Sequence, residues 1–164
     1  SIFQTFGTGL VVPETGIALH NRASLFSLDP DNPNALAPGK RPYHTLMPAL
    51  ATQNEELWLC FGVMGSFQQP QGQLQVLVNM IDFGLNPQEA LNAPRFSVRP
   101  GEGIAIEPFV SEKVTRDLTN RGHHIIVDEA NGVFFGGGQI ISRDGQGILV
   151  GGSEPRLDGC AVGW

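Results

Sequence analysis

The segment "ELWLCFGVMGSFQQPQGQLQVLVNMIDFG", residues 56 to 84, joins the most hydrophobic run of the chain to a helical pattern with almost nothing between them. The run through "LWLCFGV" is apolar enough for the centre of a sheet, with Cys60 expected as a buried apolar thiol. Leu74, Leu77, Val78 and Ile81 then recur at helical spacing and predict one buried helix face, with Gly84 placed as the C-terminal cap. A buried strand that turns straight into a helix requires a sheet with a helix against it. It also places "MGSFQQPQG" at the turn, where three chemistries compete: a nucleophile on an elbow, a phosphate cradle, or backbone N–H groups aimed at an oxyanion.

The first two fail on spacing. A nucleophile elbow reads G-x-S-x-G, and Met64 and Gln68 stand where Ser66 needs glycines. Ser153, in "GGSEP", fails at Pro155. A phosphate loop needs a lysine after its last glycine, and neither Gly65 nor the glycines at 136 to 138 are followed by one. Those C-terminal glycines read as bulge and hairpin material. At Gly65 and Ser66 a plain tight turn and a pair of N–H donors ahead of a helix both fit.

The remaining elements predict an α+β chain. "GLVV" and "GIALH", Gly9 to Val12 and Gly16 to His20, read as two short strands around a Pro-Glu-Thr-Gly turn. Residues 22 to 42 carry four prolines and several Asp/Asn turn formers, which predicts a long surface loop without regular structure, of the kind that is often functional. "TLMPALAT" and "ELWLCFGV" form a hairpin around Gln53 to Glu55. Asn86, Pro87 and Glu89 spell a capping box with proline in the first turn, so a short helix runs toward Pro94. A third helix is expected over about Pro108 to Arg121, with Val110, Val114 and Leu118 on one face and Gly122 at its end. "HHIIVD", "VFFGGGQIIS" and "GILVGG" read as strands, the last two joined at Asp144-Gly145.

At 164 residues the chain suits one domain, and 21 Gly with 12 Pro imply many turns and close backbone approaches. A net charge of -6, with ten basic residues scattered and none but Lys40-Arg41 adjacent, argues against a nucleic-acid or anionic-membrane partner. No apolar run is long enough for a membrane helix. Cys60 and Cys160 lack the spacing of a zinc site and leave the compartment open, cytoplasmic or periplasmic. His123 and His124 are adjacent in a strand and point to opposite faces, so they read as structural. His44, between Tyr43 and Thr45 at the end of the long loop, is the histidine placed to face a cleft. Asp29 and Asp31 read as turn formers, and Glu55 and Glu56 as hairpin residues. Ser1, if it were a true N-terminus, could attack through its hydroxyl with its α-amine as base. Equally, it is simply where the sequence starts, at a residue other than Met, as in a processed or truncated piece.

Four stretches carry a resemblance: "FGTGLVVPETGIALHN", "PNALAPGKRPYHTLMPAL", "VMGSFQQPQGQLQVLVNMIDFGLNPQEALNAPRF" and "GGSEPRLDGCAVGW". In this order they resemble the C-terminal, small-subunit portion of the γ-glutamyltransferase family, over almost the whole chain. The resemblance implies an N-terminal-nucleophile (Ntn) hydrolase fold, an αββα sandwich, of which residues 1–164 are the C-terminal part. It implies a precursor that cuts itself into large and small subunits. The new N-terminal Thr of the small subunit then attacks an amide and forms an acyl-enzyme. That Thr belongs to a T-T-H-x-S-V-x-D type segment preceding the part seen here, and Ser1 matches the small hydroxyl residue beside the nucleophile.

The resemblance also assigns roles. Gly65 and Ser66 match a Gly-Gly pair whose N–H groups stabilise the oxyanion. The family's α-amine-binding Asp is matched by Leu25, a neighbouring Gln by Arg22, the Ser-Ser pair on the α-carboxylate by His44 and Thr45, and an Asn near the nucleophile by Phe3. Leu25 cannot hold an ammonium, whereas Arg22 can take a carboxylate bidentately. These departures are similar to the acylase and amidohydrolase branch of the family, with a carboxylate-bearing amide as substrate and Arg22, His44, Thr45, Tyr43 and Phe3 shaping the choice. True γ-glutamyl transfer and a catalytically silent subunit are the competing expectations. No metal or organic cofactor is required by the chemistry, and a large subunit is the expected partner.

Overall fold

A computed structural model describes residues 1–129 and 132–163, so Trp164 of the terminal motif lies outside the described residues. Two compact units divide the chain, Ser1–Leu46 and Met47–Trp164.

In the first unit, the expected strand pair around the Pro-Glu-Thr-Gly turn is a short antiparallel ladder. Val12 N–H donates to Ile17 O and Leu19 N–H to Leu10 O, both at 2.9 Å. Only the Val11–Ala18 bridge is regular enough to count as strand pairing. Glu14 and Gly16 take the positive φ that the turn needs, 64° and 70°. The following loop corrects the expectation of irregular chain. It opens with a 3-10 turn, Arg22–Leu25, and closes on itself through a parallel bridge between Ser27 and Ala35. Its own polar side chains tie it down: Asn34 Nδ2 donates to Leu25 O at 2.6 Å, and Lys40 Nζ to Pro33 O and Ala35 O at 2.6 and 3.0 Å. A loop rich in proline has few free N–H groups, so side-chain donors to carbonyls do the holding.

The second unit begins with β1 (Ala49–Gln53) and β2 (Glu56–Met64). They are joined by Asn54 and Glu55, whose φ values of 52° and 67° make the two-residue turn that matches strand twist. Next come α1 (Gln69–Ile81), α2 (Pro87–Asn92), β3 (Phe96–Arg99), β4 (Gly103–Ile106), α3 (Glu112–Asn120), β5 (Ile125–Val127), β6 (Gly137–Arg143) and β7 (Leu149–Ser153). One sheet has the order β1-β2-β6-β7 and the other β3-β4-β5. The first is antiparallel throughout, and in the second β4 and β5 run parallel.

Strand β2 is central, as expected, but only one of its faces is buried. Leu59, Phe61 and Val63 point into a core with Val76, Met80, Ala90, Leu91 and Ile140. Burial of each such side chain contributes about 1.5–3 kcal/mol. Cys60 lies on the other face and is exposed, a correction that follows from strand alternation. Its cross-strand neighbours Leu50 and Ile141 are 69% and 51% exposed, so this face carries an open apolar stripe.

Helix α1 packs closely on β2, since a Cβ on Gly72 would lie 2.7 Å from Val63 Cγ1. Its inward face is Gln69, Gly72, Gln73, Val76 and Met80. Leu74 and Ile81 are exposed instead of buried, and the buried Gln73 amide on the inward face finds a backbone partner, its Nε2 donating to Met47 O at 2.6 Å. Two further amides of α1 bind the outer edge of β3. Gln75 Oε1 accepts from Phe96 N–H at 2.8 Å and Gln71 Oε1 from Val98 N–H at 2.7 Å, so helix side chains cover a strand edge. Gly84 takes the αL cap conformation with φ 66°.

Helix α2 has the expected capping box, with Asn86 Oδ1 accepting from Glu89 N–H and Glu89 Oε2 from Asn86 N–H. Strands β3 and β4 were not expected. Helix α3 starts later than expected because Ser111 caps it, its Oγ accepting from Val114 N–H. No residue of α3 is buried, and Val114 is 46% exposed. Residues 132–135 form a 3-10 turn where a strand was expected. The β6–β7 connection is longer than a two-residue turn and is organised by Asp144, whose Oδ1 accepts from Gln146 and Ile148 N–H groups at 2.9 Å.

Candidate active site

The turn after β2 is built by two residues with positive φ. Gly65 has φ 142° and ψ 31°, and Ser66 has φ 54°. A 3-10 turn, Ser66–Gln68, then leads straight into α1, with Pro70 in the first turn. Glycine is favoured at 65, because other residues rarely adopt a φ of 142° and a Cβ there would lie a tight 3.1 Å from Gly136 Cα. Ser66 adopts the αL conformation at a cost of about 1–2 kcal/mol over glycine. The N–H groups of Gly65 and Ser66 donate to no acceptor among the described residues. Gly65 is half-buried and Ser66 exposed, so both groups lie at a surface a ligand can reach.

Beside this turn lies a buried set of charges that the sequence reading did not single out. Arg95 follows α2 and is 1% exposed. Its Nη1 donates to Gly136 O at 2.7 Å and its Nη2 to Glu154 Oε2 at 2.9 Å. Glu154 Oε2 also accepts from Gly138 N–H at 2.6 Å, while Oε1 accepts from Arg156 Nη1 at 2.7 Å. Arg156 closes on Glu107 with Nε to Oε1 at 2.6 Å and Nη2 to Oε2 at 2.5 Å. The quartet thus ties the ends of α2, β4, β6 and β7 to the glycine, Gly136, that faces Gly65.

Burial by itself raises the Glu154 carboxyl. The hydrogen bonds from Arg156 and from Gly138 N–H, with the charge of Arg95, outweigh it and hold the group below the ordinary carboxylate range. The two guanidiniums move in opposite directions: burial lowers Arg95, while Glu107 and Glu154 together raise Arg156 against its own burial. The geometry agrees, because Arg156 grips two carboxylates and Arg95 only one.

In the first unit, Arg22 is 5% exposed. Its Nη1 donates to Thr45 Oγ1 at 3.3 Å, its Nη2 to Ser1 Oγ at 3.1 Å, and its guanidinium lies 4.8 Å from the centroid of the Phe3 ring. Ser1, Phe3, Arg22 and Thr45, four of the residues that the resemblance points to, therefore lie in contact around one guanidinium. Among the described residues Arg22 has no ion-pair partner, so a buried cation is held by neutral acceptors and an aromatic face alone. His44 and Tyr43 are exposed, and Leu25 is half-buried. His124 accepts a structural role, its Nδ1 lying 2.6 Å from Glu102 O. Among the described residues, no cluster of His, Cys, Asp or Glu could hold a metal ion. Both cysteines are free, and among the described residues no helix is long and apolar enough to cross a membrane.

A crystal structure of cephalosporin acylase from Bacillus halodurans matches over 100% of this chain and 31% of its own, with TM-score 0.91 and 52% identity. A γ-glutamyltranspeptidase from Pseudomonas nitroreducens matches over 100% of this chain and 90% of its own, with TM-score 0.83 and 26% identity. The fold is accordingly the α+β fold of the Ntn hydrolases. The family model for gamma-glutamyltranspeptidase matches residues 1–164, and the chain belongs to that family. Among curated relatives, the glutathione hydrolase-like YwrD proenzyme of Bacillus subtilis is 36% identical over 99% of the chain. The oxamate amidohydrolase proenzyme of Klebsiella pneumoniae is 36% identical over 100%. The chain spans about a third of the length of these relatives, 32% of each.

Proposed function

We propose that the protein containing this chain is an amide hydrolase working through an acyl-enzyme, with an N-terminal Thr outside this chain as nucleophile. The Thr hydroxyl adds to the amide carbonyl, the C–N bond breaks, and the departing amine takes the proton. Water then cleaves the ester, returning the hydroxyl and releasing the acid. Gly65 and Ser66 stabilise the tetrahedral oxyanion, and Ser1 supports the nucleophile. The observation that carries this reading is the pair of N–H groups, unpartnered among the described residues, on a turn packed against Gly136, whose carbonyl accepts from the buried Arg95. Preorganised donors of this kind are worth about 3 kcal/mol each in the transition state.

Arg22 binds a carboxylate on the acyl group, with Thr45, Phe3, His44 and Tyr43 shaping the pocket. Its buried guanidinium, without an ion-pair partner among the described residues, supports this, as does Leu25 at the position where an acid would hold an α-ammonium. The substrate class is then an amide of a dicarboxylic acid without an α-amino group.

The partner is a large subunit from the same precursor, with residues 1–164 forming the small-subunit part of one Ntn domain. The open stripe of Leu50, Cys60 and Ile141 supports it, as does a solved relative whose own chain is 90% covered by this one.

The test is turnover of glutaryl and γ-glutamyl p-nitroanilides by the complete protein and by Arg22→Ala. Faster hydrolysis of the glutaryl anilide, lost about 100-fold in Arg22→Ala, is expected. Preference for the γ-glutamyl anilide would make the enzyme a γ-glutamyl transferase or hydrolase, and no turnover of either would leave a silent subunit.

A further inference from the structure

We infer that the Ser66 hydroxyl is a third donor of the oxyanion site, acting on the same developing charge as the Gly65 and Ser66 N–H groups. The inference rests on the reading of that turn given above. Among the described residues of the second unit, the non-glycine residues with positive φ are Asn54, Glu55 and Ser66. Asn54 and Glu55 form the β1–β2 hairpin turn, whose geometry demands that conformation. Ser66 belongs to no hairpin. It lies between β2 and α1, where a glycine would adopt the same φ without strain.

A serine there brings one thing that glycine lacks, a hydroxyl. That hydroxyl does nothing for the fold. Ser66 Oγ makes no hydrogen bond among the described residues, and neither the 3-10 turn nor α1 has a side-chain cap at its start. Strain kept at a position where the fold gains nothing points to a ligand. The hydroxyl and the N–H of one residue can converge on a single acceptor, and donors to a charged oxygen form the stronger class of hydrogen bond. The exposed position of Ser66 leaves the hydroxyl free to reach it.

Ser66→Gly and Ser66→Ala, made in the complete protein, test the inference through kcat, KM and melting temperature with glutaryl p-nitroanilide. Both variants remove the hydroxyl and keep the N–H, but only glycine relieves the strain. The expected result is a loss of kcat of tenfold or more in both, with KM unchanged. Ser66→Gly should also melt higher than the parent. Wild-type kcat in Ser66→Gly, with loss only in Ser66→Ala, would mean that backbone geometry is what matters and would overturn the inference. So would a change confined to KM. Gly65→Ala separates this from the underlying reading: if it is inactive while Ser66→Gly turns over normally, only the hydroxyl's role falls. A fully active Gly65→Ala removes the oxyanion reading and the hydroxyl's role together.

Discussion

Arg95 Nη1 donates to the Gly136 carbonyl at 2.7 Å, and a Cβ on Gly136 would meet Met64 O at the same distance, 2.7 Å. A buried cation is thus linked through one glycine to the backbone beside the turn that carries the Gly65 and Ser66 N–H groups. Gly136 has φ 88°. Gly136→Ala should therefore combine left-handed strain with a backbone clash and destabilise the protein by about 2–4 kcal/mol. Denaturant unfolding measures this, and the variant's remaining folded fraction should have a reduced kcat.

Glu154 is the member of the quartet whose removal leaves most behind. Glu154→Gln strands the Arg95 guanidinium in the interior, and breaking a buried pair in this way costs about 3–5 kcal/mol. The pH dependence has a definite sign. Because the folded-state pKa of Glu154 is depressed, its contribution is fully present above the unfolded value of about 4.3 and is lost as pH falls through the lower folded value. Melting temperature measured downward from pH 6 should fall more steeply below about pH 4 in the parent than in Glu154→Gln.

Asn86→Ala is the contrasting case. It removes one half of the α2 capping box by deleting the acceptor for Glu89 N–H, while the backbone N–H of residue 86 can still donate to Glu89 Oε2. It should cost about 1 kcal/mol of stability and leave kcat and KM unchanged. A large loss of activity from this variant would mean that α2 does more than support β6 and β7.

Leu25→Asp probes substrate choice. It places a carboxylate where the family resemblance locates an ammonium partner. The ratio of kcat/KM for γ-glutamyl over glutaryl p-nitroanilide should rise by about tenfold, through attraction of one substrate and repulsion of the other. An unchanged ratio would remove Leu25 from the acyl pocket.

How far these features were legible in the sequence varied with their physical range. The capping box at Asn86 and the hairpin at Asn54–Glu55 depend on neighbouring residues, and both were readable. Strands β3 and β4 were missed because Pro94, Pro100 and the glycines around them read as breakers, while β4 finds its parallel partner β5 only across α3. The buried face of α1 was misjudged because Gln69 and Gln73 are on it, and an amide looks polar until its backbone partner is known. Alternation along β2 put Cys60 outside although its neighbours are apolar. The quartet was invisible because its four residues come from three separate segments, around 95, around 107 and at 154–156. Arg22, Ser1, Thr45 and Phe3 were picked out by family resemblance, and no spacing rule would have assembled them.

The most direct test is intact mass under denaturing conditions of the complete protein, acid-quenched during turnover of glutaryl p-nitroanilide, with each N-terminus sequenced. The account predicts two polypeptides, the smaller containing this sequence behind an N-terminal Thr and carrying a glutaryl adduct. A single unmodified polypeptide, turning over or not, would contradict it.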